Sequence, residues 1–449
     1  MRVFHKSKYL FLLVFLTLLI FTTKLFFLHP TFSDENTYIN MGKEVLNGKV
    51  PYKDFFFAHP PLQLYSLALI FKIFGSSFLA AKIFSLMVSF ASVFLLFFIT
   101  RELFNEKIAL ISSILLLFWP GFLIFSGQQY GMWEIVLLFL VSVYLVLKDR
   151  LALAGAVFSF GLFFRYLLIL YLPFLLILLY LKKESMTKFL TYFFVPATMI
   201  FLLMFSLFGY SFVDNSILFQ ITTKIREETL PKLVFQYLDL GYFSLFLALL
   251  SAIFAYLKKN KMILLFSLYP IIIDLLILLS LKTVIYHYFL LSLPLVMLVT
   301  GNLFFESKEK TVKLLIILVF ILSIFHNLPT FDFYMNPKSS ESLIQIAQFV
   351  QNNTKPADTI FGEPVVANYV SFATGRKISA NYLDSYPRHL LYEGEQSVLE
   401  RIKANPPKAF ITTENLYFLV PSIEKYFSEN YQLAKGFPGI SSYEIYLKK

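Results

Sequence analysis

Three observations predict a polytopic α-helical membrane protein with a small α/β domain at its C-terminal end. Apolar runs recur through the first 329 residues, each near the roughly twenty residues that cross a hydrocarbon core. Of 449 residues, 58% are hydrophobic and only 15% are charged, where a soluble domain carries about a quarter. From about Thr330 the composition changes: Pro, Asn, Asp, Glu and Lys return and no run is long enough to span.

The elements follow in order. Tyr9–Leu28 is the first apolar run; it lacks an Ala-x-Ala cleavage site, so it reads as a retained helix. Arg2, Lys6 and Lys8 precede it and place the N-terminus in the cytoplasm. A long polar stretch, residues 29–61, follows on the outer side. Leu62–Gly75 is apolar but short and contains Lys72, as an interfacial helix would. The expected spans are then Phe78–Thr100, Ile108–Phe125 and Gly131–Leu147. Leu151–Leu181 holds two segments with a turn near Arg165 to Pro173. Next come Lys188–Phe208, an outer loop over Gly209–Leu233, Val234–Leu257, Met262–Leu281, Tyr288–Phe305 and Leu314–Leu328. That makes about eleven spans. The basic clusters at Arg101/Lys107, Lys148/Arg150, Lys182/Lys183, Lys258/Lys259 and Lys308/Lys310 all fall on one side. They account for much of the +11 formal charge as an orientation signal rather than a nucleic-acid surface.

Beyond residue 329 short strand-like runs (Thr359–Phe361, Ala409–Thr412, Tyr443–Leu447) alternate with helix-like ones (Ser342–Asn352, Ser397–Asn405, Ile423–Asn430). The division expected is therefore 1–329 in the membrane and 330–449 as an α/β domain. An odd number of spans puts that domain outside, in the extracytoplasmic space bordering a plasma membrane.

The stretch Phe32–Leu64, FSDENTYINMGKEVLNGKVPYKDFFFAHPPLQL, is far longer than a connection between two helices requires. Asp34 and Glu35 stand at its start, a helix-length run ends at Gly48, and Pro51-Tyr52, Asp54 and His59-Pro60-Pro61 follow. Spacing alone reads Ser33 or Asp34 as the cap of a helix beginning near Glu35. A carboxylate at a membrane boundary can also act as a general base. Capping would fix one acid while the other points outward, so both roles fit together.

The Asp-Glu pair after the first apolar run, with Tyr38, Gly48, Pro51-Tyr52, Asp54 and the residue before Pro60-Pro61, resembles the C-type (GT-C) membrane glycosyltransferases. The protein O-mannosyltransferases and lipid A aminoarabinose transferases are the groups it resembles. That resemblance implies transfer of one sugar from a polyprenyl-phosphate carrier, with inversion, to a protein, lipid or glycan acceptor outside the membrane. It implies Asp34 as the base, and Glu134 as the second acid found at the outer end of a later helix in such enzymes. Glu in place of the usual Asp lengthens the reach there by one methylene. His59 stands where relatives carry a basic residue, and Tyr286-His287-Tyr288 resembles the aromatic-basic approach to a late span.

Other candidates come from position. Glu134, in GQQYGMWEIV, sits just inside the outer end of a span, where a carboxylate either reaches water or faces a cavity. Arg165, in GLFFRYLLILYLP, lies in an apolar run away from the basic clusters. It either snorkels or offers a guanidinium to a phosphate. His59, Lys82, Arg226, Lys282 and His287 share the outer side with it. Tyr38, Tyr52, Tyr286 and Tyr288 would line a substrate groove, and membrane lipid would border it.

Asp239 and Asp274 lie within spans and admit a rival reading, a transporter or flippase for a lipid-linked or small polar substrate. No internal repeat supports that rival. No cysteine is present, which excludes thiolate chemistry and disulfides. No cofactor is required by any motif. A divalent metal ion remains compatible with Asp34, Glu35, Glu134 and His59 converging, though no ligand spacing marks a metal site. Walker, nucleotide-binding Gly-rich and His-Glu-x-x-His motifs are absent. So is the Trp-Trp-Asp motif of oligosaccharyltransferases, since Trp119 and Trp133 stand apart.

Overall fold

A computed structural model describes residues 8–222, 230–280, 286–413, 420–437 and 442–449. The chain forms two compact units that interleave along the sequence. One comprises residues 1–26, 82–203 and 224–331; the other comprises 27–81, 204–223 and 332–449.

The first unit is a helical bundle. Among the described residues, four helices of the chain are long and apolar enough to cross a bilayer: Lys8–Leu25, Phe78–Leu103, Met186–Phe208 and Lys261–Leu279. Lys310–His326 with Leu328–Met335 makes a fifth if that pair, bent by 50°, counts as one span. The apolar helices Met132–Leu147, Leu151–Leu162 and Leu293–Glu306 are shorter.

Several breaks have local causes. The expected span Ile108–Phe125 is divided into Glu106–Leu117 and Pro120–Phe125. Pro120 cannot donate to the preceding turn and forces Trp119 into an extended conformation (φ −69°, ψ 137°). The run 151–181 breaks as expected. Leu151–Leu162 ends, Arg165 is extended (φ −153°, ψ 128°), Tyr166–Tyr171 forms a 3₁₀ turn, and Pro173 lies in the first turn of Leu172–Lys182. Tyr286–Leu291 is a 3₁₀ helix preceding Leu293–Glu306. Helix Leu151–Leu162 lies so close to Met186–Phe208 that a Cβ on Gly155 would be 2.5 Å from the Phe189 carbonyl oxygen. Small residues permit such contacts between helices in lipid.

The second unit contains a five-stranded mixed sheet of order β2-β1-β3-β5-β4. The strands are β1 (Thr359–Gly362), β2 (Lys377–Ile378), β3 (Ala409–Thr413), β4 (Tyr431–Phe437) and β5 (Tyr443–Lys448). β1 pairs parallel with β2 and β3, while β3–β5 and β5–β4 are antiparallel, with Ile411 opposite Ile445. β3 is buried along its whole length, as a central strand must be. Phe361, Phe410, Val398, Ile402, Ile423 and Phe427 form the core between sheet and helices.

β1, β3, β5 and the helices Glu341–Asn353, Glu395–Ala404 and Pro421–Asn430 lie where the pattern places them. The sequence reading does not include β4, because its middle, QLAKG, is exposed throughout and has no alternation. Helix Pro364–Thr374 is likewise absent from that reading.

That helix is the partner of the polar stretch. Helix Glu35–Leu46 packs on Leu62–Phe74 through one apolar face, Ile39 meeting Leu67 and Phe71. A Cβ on Gly42 would lie 2.6 Å from Leu67 Cβ. Its polar stripe meets Pro364–Thr374: Asn36 donates to the Val365 carbonyl (3.2 Å), Asn40 to Asn368 Oδ1 (2.9 Å) and Lys43 to the Phe372 carbonyl (3.0 Å). The expected outer loop Gly209–Leu233 is mostly helical turns over 210–222. Residues 223–229, with Arg226, lie outside the described residues.

Candidate functional site

Asp34 stands at the N-cap position of Glu35–Leu46, but its side chain makes no capping bond. The expected cap is therefore not formed by that carboxylate. Its Oδ1 accepts instead from the Tyr386 hydroxyl at 2.6 Å. Glu35 is fully buried and accepts from Thr31 Oγ1 at 2.6 Å. Of the acid pair, Asp34 lines a cavity of about 30 Å³, with Tyr38, His59, Asp384, Tyr386 and Arg388. Glu35 is not among the lining residues.

The cavity is built by three segments of the second unit. Helix Glu35–Leu46 presents Asp34 and Tyr38. His59 lies with Nε2 3.4 Å from the Tyr38 hydroxyl, and its carbonyl accepts from Tyr52 at 2.5 Å. The segment Asp384–Arg388 closes the third side. Asn368 holds these parts in register: its fully buried amide nitrogen donates to the carbonyls of Pro364 (2.7 Å) and Leu383 (2.6 Å) while Oδ1 accepts from Asn40. Tyr386 is raised well above the ordinary phenol range by burial and by the charges of Asp34 and Glu363. It therefore stays a donor to the Asp34 carboxylate.

Glu363 is a second carboxyl beside Asp34. It is buried and caps Pro364–Thr374, Oε2 accepting from the Val366 amide at 2.8 Å. Burial pushes it up to about 7; the Val366 and Val365 amides pull it down, and the Asp34 charge raises it further.

The first unit carries its own polar cluster. The loop before helix Met132–Leu147 turns through Gly131 at φ 73°, a left-handed conformation that glycine adopts freely. Glu134, in the first turn, is buried and accepts from Gln129 Nε2 at 2.9 Å. Arg165 donates through Nε (3.0 Å) and Nη2 (2.5 Å) to the Tyr130 carbonyl. His287 stacks on the Tyr130 ring with centroids 4.3 Å apart and has Tyr288 against its edge at 4.9 Å. Glu134, Arg165 and His287 are thus gathered around one turn. Lys82 is buried and reaches Gln128 Oε1 at 3.5 Å. Asp274 accepts from Ser292, which in turn accepts from Tyr171 at 2.9 Å, a buried polar chain within the bundle. Lys282 lies outside the described residues, as do the side chains of Tyr286 and Asp239.

Among the described residues no group of three or more His, Cys, Asp or Glu is placed to hold a metal ion.

Tyr386, Arg388, Asp384 and Glu363 escape the sequence reading. DSYPRH (384–389) is polar and runs into the first turn of helix Pro387–Glu393, but nothing in the chain links it to a motif some 350 residues earlier.

The family model described as dolichyl-phosphate-mannose-protein mannosyltransferase matches residues 58–210. That span includes His59, Glu134 and Arg165 but not Asp34. No curated protein sequence matches the chain. The structure is similar to that of ArnT from Cupriavidus metallidurans bound to undecaprenyl phosphate, with TM-score 0.71, 11% identity and 98% of each chain covered. It is similar to the apo form of the same protein, at 0.69 and 11% over 97% of each. The Archaeoglobus fulgidus oligosaccharyltransferase matches at 0.53 and 12%, covering 92% of this chain and 70% of that one. The chain therefore has the fold its sequence resemblance implies, that of the GT-C membrane glycosyltransferases.

Proposed function

We propose that this protein is an integral membrane glycosyltransferase that moves a single sugar from a polyprenyl-phosphate carrier to an acceptor on the outer face of the membrane. The observation that carries the reading is the Asp34 carboxylate, fixed by Tyr386 in a cavity shared with His59 and Arg388. A small pocket with the oriented Asp34 carboxylate, a second acid in Asp384 and two basic side chains suits proton abstraction beside an anionic leaving group. The match to ArnT, a protein solved with undecaprenyl phosphate, supports a lipid-phosphate donor.

In this scheme Asp34 takes the proton of the acceptor hydroxyl or amine. The freed electron pair forms the new bond to the anomeric carbon while the bond from that carbon to the phosphate oxygen breaks. The carrier phosphate leaves with the bonding pair. Attack opposite the leaving group inverts the anomeric centre. His59 and Arg388, beside Asp34, supply donors for the leaving phosphate; Arg165 and His287 are proposed as phosphate-binding donors of the first unit's own polar cluster. Glu134 orients its polar cluster through Gln129, and Glu35 anchors the start of the Asp34 helix through Thr31.

The test uses the purified protein in lipid with a panel of radiolabelled polyprenyl-phosphate monosaccharides and crude envelope acceptors. Asp34→Asn keeps an oxygen for Tyr386 and loses the base. Transfer from one donor by wild type, reduced by about 10²–10⁴-fold in the variant, supports the proposal and names the sugar. Equal transfer by both removes Asp34 as base and moves the role to Glu134. Movement of a lipid-linked substrate across the bilayer without transfer would favour a flippase.

A further inference from the structure

A second cavity of the same unit, about 430 Å³, lies between residues 52–56, 214–215 and 380–401. Its volume falls in the roughly 300–1,000 Å³ range of small-molecule sites, whereas the Asp34 cavity holds about 30 Å³. We propose that this larger cavity is a carbohydrate subsite that receives a short stretch of a glycan acceptor. The inference rests on the transferase reading and names the acceptor class it leaves open.

The lining argues for a hydroxyl-rich ligand. Only Phe55, Phe56 and Ala380 among its residues are apolar, which is unsuited to an acyl chain. Lys53 and Arg401 are balanced by Asp54, Asp214 and Glu393, so no cationic field selects a phosphate-rich ligand. What remains is an arrangement of carboxylates, amides and rings, the groups that meet sugar hydroxyls and the apolar face of a pyranose.

These groups are pre-set. Tyr392 donates to Asp214 Oδ1 at 2.6 Å, and Tyr382 donates to Glu393 Oε1 at 2.9 Å. Arg401 pairs with Glu393 at 2.7 Å, and Lys49 fixes Asn381 Oδ1 at 2.9 Å. A carboxylate has about four lone-pair sites, so Asp214 and Glu393 keep acceptor capacity beyond these bonds. Phe56 stacks on His389 with centroids 3.6 Å apart, giving the wall a rigid flat face.

The backbone is held in place as well. Tyr52, Ala380 and Asn381 have φ of 68°, 49° and 60°, and all three line the cavity. Left-handed backbone at a non-glycine residue is strained and persists where surrounding structure holds it, commonly at ligand sites. The chain segments that wall this cavity continue into the other one: Phe57, Ala58 and His59 follow Phe56, and Asp384, Tyr386 and Arg388 precede His389. The two cavities are thus walled by the same two chain segments.

The experiment uses the full-length protein in nanodiscs, without donor, on an array of neutral hexose, N-acetylhexosamine and uronic acid oligosaccharides up to tetrasaccharides. Wild type is expected to bind a subset. Tyr392→Ala and Asp214→Asn should weaken that binding at least tenfold, while Lys425→Ala, at an exposed side chain of helix Pro421–Asn430 outside the cavity, should not; thermal melts check that every variant is folded. Binding to no saccharide, or equal binding by wild type, Tyr392→Ala and Asp214→Asn, overturns the subsite. Saccharide binding that depends on Tyr392 but is followed by no transfer from any donor keeps the subsite and overturns the transferase reading. Transfer to a glycan with an acceptor KM indifferent to Tyr392→Ala does the reverse.

Discussion

Glu363 makes the stability of the second unit depend on pH, with a sign opposite to that of a salt-bridged acid. Its carboxyl ordinarily titrates at 4.5 and is pushed up to about 7 in the folded protein, chiefly by burial. Between those values the native state holds a proton that the unfolded state has released. Stability is therefore fully present below about pH 4.5, falls as pH rises, and levels off above about 7. At about 1.36 kcal/mol per unit, the loss is on the order of 3 kcal/mol. Glu363→Gln removes the ionisation while its amide oxygen can still accept from the Val366 amide. Thermal melts of wild type and Glu363→Gln across pH 4.5–8.5 should coincide at the acid end and separate with rising pH. At about 2–4 °C per kcal/mol for a unit of this size, the variant should melt several degrees higher at pH 8. Parallel curves, or a wild type that gains stability with pH relative to the variant, would refute the burial argument. Because the Asp34 charge adds to the shift, Asp34→Asn should narrow the gap.

Other perturbations follow from the same contacts. Tyr386→Phe removes the hydroxyl donor to Asp34; a bond to a charged group is worth about 1.5–3 kcal/mol, so kcat for transfer should fall about 10–100-fold, and an unchanged kcat would remove Tyr386 as a positioning residue. Arg165→Lys cannot reproduce the two-nitrogen contact to the Tyr130 carbonyl, so donor KM should rise about tenfold, measured by titrating the polyprenyl-phosphate sugar. Gly42→Ala drives a Cβ against Leu67 and should destabilise by about 1–3 kcal/mol, seen as a lower Tm. Asn368→Leu takes this donor from the Leu383 carbonyl and from the Pro364 carbonyl, which keeps Thr37 Oγ1 at 3.4 Å, at about 1–3 kcal/mol for a buried group left unpaired; a melt within a degree of wild type would count against its tie between segments.

The architecture was legible because membrane spans and amphipathic elements are periodic, local patterns. β1 and β3 are short apolar runs buried on both sides, and their boundaries could be read to within a residue or two. Arg165 drew notice as a charge in an apolar run, and Pro173 marked the turn that presents it. β4 escaped because an exposed edge strand has nothing to alternate against. Glu106–Leu117 ended before its apolar run did because Pro120 breaks the helix, a rule available in the sequence but masked by continuous hydropathy.

The chain by itself determined that it needs a lipid environment, where its backbone breaks and which acids and bases are out of place, since these depend on composition and neighbouring residues. Tertiary structure alone decided the partners. It assigned Glu35 to a buried bond with Thr31 and Asp34 to a cavity with Tyr386. It also laid the polar stripe Asn36–Asn40–Lys43 on a helix beginning at Pro364 rather than in water. The physical reason is that hydrogen bonding is satisfied by whatever group is nearest in space. Residues 34 and 386 become neighbours only when the sheet, its helices and the polar stretch pack into one unit.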